Sequence, residues 1–190
     1  MTIYAEIRGG IGNQMFQFAN GFSVAMRNKT NLKLDVRKYN LLKMHNGFEL
    51  NKIFSIKAEI ASEVEIYKLF KWQSNTIIKF FIRYFFKNLT RYIVEPTFNY
   101  WPNIKKLKGN IYLEGYWQSE KYFKAYEEEI RRCFKFKRNL KGPNLVIAAE
   151  IRSKNSVSLH VRRGDYLLKK NTSLYQICNL KYTLPHEECE

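Results

Sequence analysis

Aspartate is almost missing from this chain. Among its 190 residues only Asp35 and Asp165 are aspartates, so no D-x-D pair exists. That argues against a site built on an aspartate-held Mg²⁺ or Mn²⁺. Cysteine is scarce too: Cys133, Cys178 and Cys189 are odd in number and form no C-x-x-C. A disulfide framework or a zinc site is therefore not expected, and a reducing compartment fits best. The histidines, His45, His160 and His186, are scattered, which again argues against a metal cluster. No run approaches the eighteen or so uncharged apolar residues of a membrane span. The opening MTIYAEIRGG lacks the basic-then-apolar pattern of a signal peptide. No internal repeat or low-complexity tract occurs. These absences lead to the expectation of a metal-free cytoplasmic protein.

What is present is apolar and basic. Hydrophobic residues make up 45% and aromatics 16%, enough for a core, and Lys+Arg at 33 against Asp+Glu at 17 gives a formal charge of +16. Such a field attracts nucleic acid, anionic lipid and phosphorylated substrates without choosing among them. A basic nucleic-acid-binding module is one reading. Against it, the charges are dispersed and no RNA- or DNA-binding motif occurs, so nucleic acid is not expected as a partner.

Along the chain, Ile3 to Arg8 is β-prone and a glycine loop follows. From Asn13 to Asn28, Met15, Phe18, Phe22 and Met26 recur at three- and four-residue steps and predict a helix facing a core. Asn31 to Val36 alternates again, so the start of the chain reads as a βαβ unit with a parallel sheet. Ser62 to Phe70 and Ser119 to Phe134 are expected helices, the second carrying Glu127–Arg131 and Glu128–Arg132 pairs. Tyr92 to Glu95 and Ile111 to Glu114 are expected strands. Between them TIIKFFIRYFFKN, residues 76 to 88, sets Lys79, Arg83 and Lys87 on one helical stripe. A connector helix buried on most sides satisfies that pattern, and so does a helix lying on an anionic membrane surface. Lys135 to Asn144 reads as a linker, Leu145 to Arg152 as a short helix, and Ser156 to Val161 as a strand.

Two stretches bear chemistry. Gly9-Gly10-Ile11-Gly12-Asn13 ends a strand and opens a helix. Glycine lets backbone approach a ligand closely, and a helix N-terminus offers N–H groups to an anion. The spacing is not G-x-G-x-x-G and lacks the P-loop lysine, so a plain βα turn remains open as well. His160-Val161-Arg162-Arg163-Gly164-Asp165-Tyr166 follows the last strand, where α/β folds place ligands. Arginine matches phosphate with a planar fork of donors. The alternative is a solvated basic turn with His160 half-buried.

Three stretches in order, GGIGNQMFQFA at 9–19, LEGYWQSEKYF at 113–123 and SLHVRRGDYL at 158–167, resemble the glycosyltransferases of family 11, the bacterial and animal α-1,2-fucosyltransferases. The resemblance implies a GT-B-like α/β fold of two Rossmann-like domains. It implies inverting, metal-independent transfer of L-fucose from GDP-fucose to the 2-hydroxyl of a galactose-terminated oligosaccharide acceptor, as in surface-glycan synthesis. No cofactor beyond the donor is implied, and the acceptor-binding residues and catalytic base are not assigned. By the same likeness Arg162 stabilises the departing β-phosphate, and Asn13 reaches that phosphate from the other domain. Arg163, His160 and Asp165 hold phosphates, nucleotide and arginines, with Gly10 and Gly12 lining the donor. On this basis residues 1–140 are expected to form a complete N-terminal, acceptor-side domain, 141–154 a connector and 155–190 the start of the donor domain. Family members are longer, and the tail CNLKYTLPHEECE does not continue their pattern. The expectation is a truncated chain with low or no transfer activity, a cytoplasmic protein touching the inner membrane face through 76–88.

Overall fold

A computed structural model describes residues 1–42, 46–70 and 91–159. The chain divides into two units, Met1–Asn139 and Leu140–Glu190. The expected helix over 76–88, together with His160, Arg162, Arg163 and Asp165, lies outside the described residues.

The first unit is an open, all-parallel α/β sheet. Strands β1 (Thr2–Glu6), β2 (Asn31–Asp35), β3 (Glu59–Ile60), β4 (Arg91–Val94) and β5 (Ile111–Glu114) take the order β3-β2-β1-β5-β4. The register sets Ala5 opposite Leu34 on one side and Leu113 on the other. The 18-residue helix α1 (Ile11–Asn28) makes the crossover from β1 to β2 and ends on Lys29 in the left-handed region, φ 51°. Shorter helices follow: α2 (Arg37–Leu42), α3 (Leu50–Ile53), α4 (Glu63–Phe70) and α5 (Glu127–Cys133).

The alternation of β1 separates two faces. Ile3 and Ala5 turn toward α1. Ile3 packs with Val24, Ile111, Leu113, Trp117 and Tyr122, and Ala5 joins Ile7, Phe18, Leu34, Leu50 and Phe54. Tyr4 turns the other way, onto Tyr112, Ala61 and the Ile66 of α4. Helix α1 lies close to the sheet because Gly21 has no side chain: a Cβ there would sit 2.9 Å from the Cβ of Ala5.

Four expectations need correction. The helix expected over Ser119–Phe134 is broken into 3-10 turns at Glu120–Tyr122 and Lys124–Tyr126 followed by α5. Tyr122 and Phe123 both pack on the core beside Trp117, and the first of these turns is capped by the Ser119 side chain, which accepts from Lys121 N–H. Of the expected pairs, Glu127–Arg131 forms at 2.7 Å, whereas the Arg132 guanidinium meets Glu129 at 3.9 Å and only the backbone carbonyl of Glu128. Met26, expected to face the core, is 42% exposed at the end of α1. In the second unit, α6 (Pro143–Ser153) starts on proline in its first turn, where the missing N–H costs nothing. The strand expected from Ser156 does not form through Leu159, the last described residue. Hydrogen-bonded neighbours make a strand, and none among the described residues pairs with it.

Candidate functional site

All five strands run parallel, so their carboxyl ends share one edge of the sheet. The chain leaves β1 toward β2, and β5 lies on the other side of β1. That reversal opens a crevice above the ends of β1 and β5, the usual ligand position in such sheets. Two of the three sequence stretches meet there: the glycine turn after β1 and the Gly115–Gln118 turn after β5.

The glycine turn is clamped from below. Gly9 has φ +79°, and a Cβ on it would lie 2.6 Å from Asn13 Nδ2. Its carbonyl accepts from the Tyr39 hydroxyl at 2.6 Å and from Gln14 Nε2 at 3.1 Å. Burial holds the Tyr39 phenol well above its usual pKa, so it stays a donor. The Gln14 amide, fully buried, also donates to the Gly47 carbonyl at 2.9 Å and accepts from Glu49 N–H at 2.9 Å. Gln17 accepts from Arg8 N–H at 2.8 Å. With the Gly9 carbonyl held by these two donors, the turn is fixed where the helix begins. Gly10 is the N-cap, in extended conformation, and the first intrahelical bond runs from Gln14 N–H to its carbonyl. The N–H groups of Ile11, Gly12 and Asn13 precede that bond, and the first turn holds no acidic residue. The positive end of the helix is therefore uncompensated. Apart from the adjoining backbone, no atom of the described residues lies within 4 Å of the places where Cβ atoms on Gly10 and Gly12 would sit.

Across the crevice, Gln118 Nε2 donates to Asn13 Oδ1 at 2.6 Å. Beside α1 runs a cleft of about 300 Å³ that includes Gly12 and is walled by Met15, Phe16 and Ala19 against Phe123, Ile130 and Phe134.

On the face away from α1 the same edge is closed by ions. Glu6 meets Lys38 at 2.9 Å and Arg8 at 3.3 Å. Glu114 meets Arg8 at 3.5 Å, and the Tyr92 hydroxyl donates to its other oxygen. The Arg8 guanidinium lies 4.7 Å from the Tyr116 ring centroid. Burial, then the neighbouring Glu114 charge, raises the Glu6 pKa against the pull of Lys38 and Arg8. Asp35 accepts two bonds from the Arg37 guanidinium, both at 2.9 Å, one from Tyr112 at 2.7 Å and one from Arg37 N–H. Burial pushes its carboxyl up, but these four bonds together hold it below its ordinary value of 3.8. Among the described residues no group of three His, Cys, Asp or Glu is placed to hold a metal ion. Nor is any helix among them long and apolar enough to cross a membrane.

A carboxylate held below its unfolded pKa adds stability that is complete above that value and is lost as pH falls through the folded one. Asp35→Asn should flatten the fall in stability below pH 3.8. Urea midpoints measured at a series of pH values check this, and equal acid slopes for the two proteins would refute it. Glu6 acts with the opposite sign: its raised value lowers stability as pH climbs past 4.5.

Sequence reasoning placed Asn13, Gly10 and Gly12 here. It gave no role to Gln14 or Gln118, although both stand inside the quoted stretches.

A parallel α/β sheet with a glycine-rich βα turn and free helix N–H groups at its switch point is the architecture of proteins that take phosphorylated ligands. The glycosyl transferase family 11 model matches residues 2–185, and the chain belongs to that family. It is 32% identical over 186 residues to an α-1,2-colitosyltransferase of Escherichia coli, covering 95% of this chain and 61% of that protein. It is 29% identical over 197 residues to the O-antigen biosynthesis glycosyltransferase WbnK of Escherichia coli, covering 91% of this chain and 62% of that one. The chain thus spans about three fifths of the length of these curated relatives. No solved structure gives a significant match.

Proposed function

We propose that this chain carries the N-terminal domain of a GT-B enzyme transferring L-fucose, or the colitose named for its relative, from a GDP-sugar to a 2-hydroxyl. The acceptor is a terminal galactose-like sugar in surface-glycan synthesis. The observation that carries this reading is the meeting of the two family stretches at the crevice, where the uncapped N–H groups of α1 face open space. The α-1,2 linkage and the O-antigen role in the relatives' names support the acceptor class.

In the reaction, the acceptor 2-oxygen attacks the anomeric carbon from the face opposite the diphosphate. The bond to the β-phosphate oxygen breaks, its electron pair leaves with GDP, and the acceptor proton is lost. Fixed donors aimed at the departing oxygen stabilise the charge that develops there. Asn13 Nδ2 and the first-turn N–H groups supply them from this domain, and the bare backbone of Gly10 and Gly12 lets the diphosphate come close. Arg162 supplies the cation. Arg163 supports the phosphates, and His160 and Asp165 hold the nucleotide and the arginines. These four roles rest on likeness to the family. The cationic stripe of 76–88 is assigned, on sequence alone, to contact with an anionic membrane surface.

Calorimetric titration of the chain with GDP should give saturable binding that Asn13→Ala weakens about tenfold. Absent binding, or binding indifferent to that substitution, would overturn the assignment of the crevice. In a full-length relative, replacing the arginine matching Arg162 by alanine should abolish transfer to lactose without unfolding. Near-normal turnover would end that role.

A further inference from the structure

We propose that Gln118 is a positioning residue that orients the Asn13 carboxamide, and that Glu95 holds Gln118 in place to do so. The inference rests on the reading that Asn13 meets the donor diphosphate.

An asparagine side chain presents an acceptor on one side and two donors on the other, so its usefulness to an anion depends on which way it is turned. Here Gln118 Nε2 donates to Oδ1 at 2.6 Å, which commits the oxygen. Nδ2 is left over Gly9, 2.6 Å from where a Cβ would stand, and makes no hydrogen bond among the described residues. The absent side chain of Gly9 is what gives the NH₂ group its room. Turned the other way, Asn13 would set its oxygen beside the phosphate and repel it.

Gln118 is itself exposed, and an exposed side chain positions nothing unless its backbone is fixed. Glu95, one residue past the end of β4, supplies the fixing. One carboxylate oxygen accepts from Tyr116 N–H at 2.7 Å and the other from Trp117 N–H at 3.0 Å. The approach is close: a Cβ on Gly115 would lie 2.4 Å from the Glu95 Cβ. Trp117, 1% exposed, is sunk in the core, and Ser119 N–H returns to the Trp117 carbonyl at 2.8 Å. Gln118 is thus held on both sides. The order runs from β4 through Glu95 to the turn, from the turn to Gln118, and from Gln118 to the amide facing the crevice.

A simple tie between loops and an orienting contact predict different results. The test is titration of the full chain with GDP and with guanosine, which lacks the diphosphate, using wild type, Asn13→Ala, Gln118→Ala, Gln118→Glu and the double variants. Gln118→Ala should weaken GDP about fivefold and leave any guanosine binding unchanged. It should have no further effect once Asn13→Ala is present. Gln118→Glu can only accept, so it should draw Nδ2 toward itself and weaken GDP more than the alanine does. Its effect in the Asn13→Ala background measures the added charge alone and is subtracted. Additive losses from Asn13→Ala and Gln118→Ala, or equal losses for GDP and guanosine, overturn the inference and leave the diphosphate reading standing. A GDP affinity that Asn13→Ala does not change overturns both. Circular dichroism of each variant excludes unfolding as the source of a loss.

Discussion

Trp117→Ala lowers the stability of the first unit by about 4 kcal/mol, a large part of what a domain has in total. The side chain is 1% exposed and stands edge-on to Tyr122, ring centroids 5.3 Å apart, among Ile3, Val24, Ile111 and Leu113. Removing it empties the junction where β1, β5, α1 and the turn after β5 come together. Ile3, Ile111 and Leu113 belong to paired strands fixed by their hydrogen bonds and Val24 to the long helix α1, so the space can close only in part. The backbone refines the expectation. Trp117 has φ 55°, where every residue but glycine is strained. Trp117→Gly is therefore expected to cost no more than Trp117→Ala, although glycine elsewhere costs roughly 0.5–1 kcal/mol more. Tyr116→Ala is the control: its ring is exposed, lies beside the Arg8 guanidinium, and should cost under about 1 kcal/mol. Guanidinium unfolding of the four proteins measures this, and a loss below about 2 kcal/mol for Trp117→Ala would show that the site repacks.

The first βαβ unit was legible because its residues agree at every level. Ile3 and Ala5 alternate with Tyr4, the glycines stop the strand, and Phe18 and Phe22 recur on a helical face. What periodicity could not show was the polar inside of α1. Gln14, Gln17 and Asn20 are each buried to within 1%, where a hydrophobic pattern predicts solvent. The first two are inside because the edge of a parallel sheet leaves backbone groups at Gly9, Arg8 and Glu49 that need partners. Glu95 was hidden for another reason. Its partners are N–H groups 21 and 22 residues away, brought close by the β4–β5 pairing, and nothing local marks them. The two-residue β3 is too short for any period to register. The alternation from Ser156 to Leu159 was clear and yet gave no strand, because alternation describes a surface and pairing requires a neighbour.

Gly9 and Gly12 stand in the same motif but should answer substitution in opposite ways. Gly9→Ala places a Cβ at φ +79° and 2.6 Å from Asn13 Nδ2. The conformation alone costs roughly 1–2 kcal/mol, and relief of the clash must move the carboxamide. Stability and GDP affinity are therefore both expected to fall. Gly12 lies in the first turn of α1 with open space around its missing Cβ. Alanine is the better helix residue, so Gly12→Ala should leave the fold unharmed or stabilise it by up to about 1 kcal/mol. The fold thus gives no reason for glycine at that position. A ligand would: backbone that an anion approaches closely has no room for a methyl group. If the crevice takes the diphosphate, Gly12→Ala raises the thermal midpoint while GDP binding weakens about tenfold. If GDP affinity stays at the wild-type value in the stabilised variant, the ligand does not approach α1 at Gly12. The diphosphate would then have to be placed elsewhere along the sheet edge.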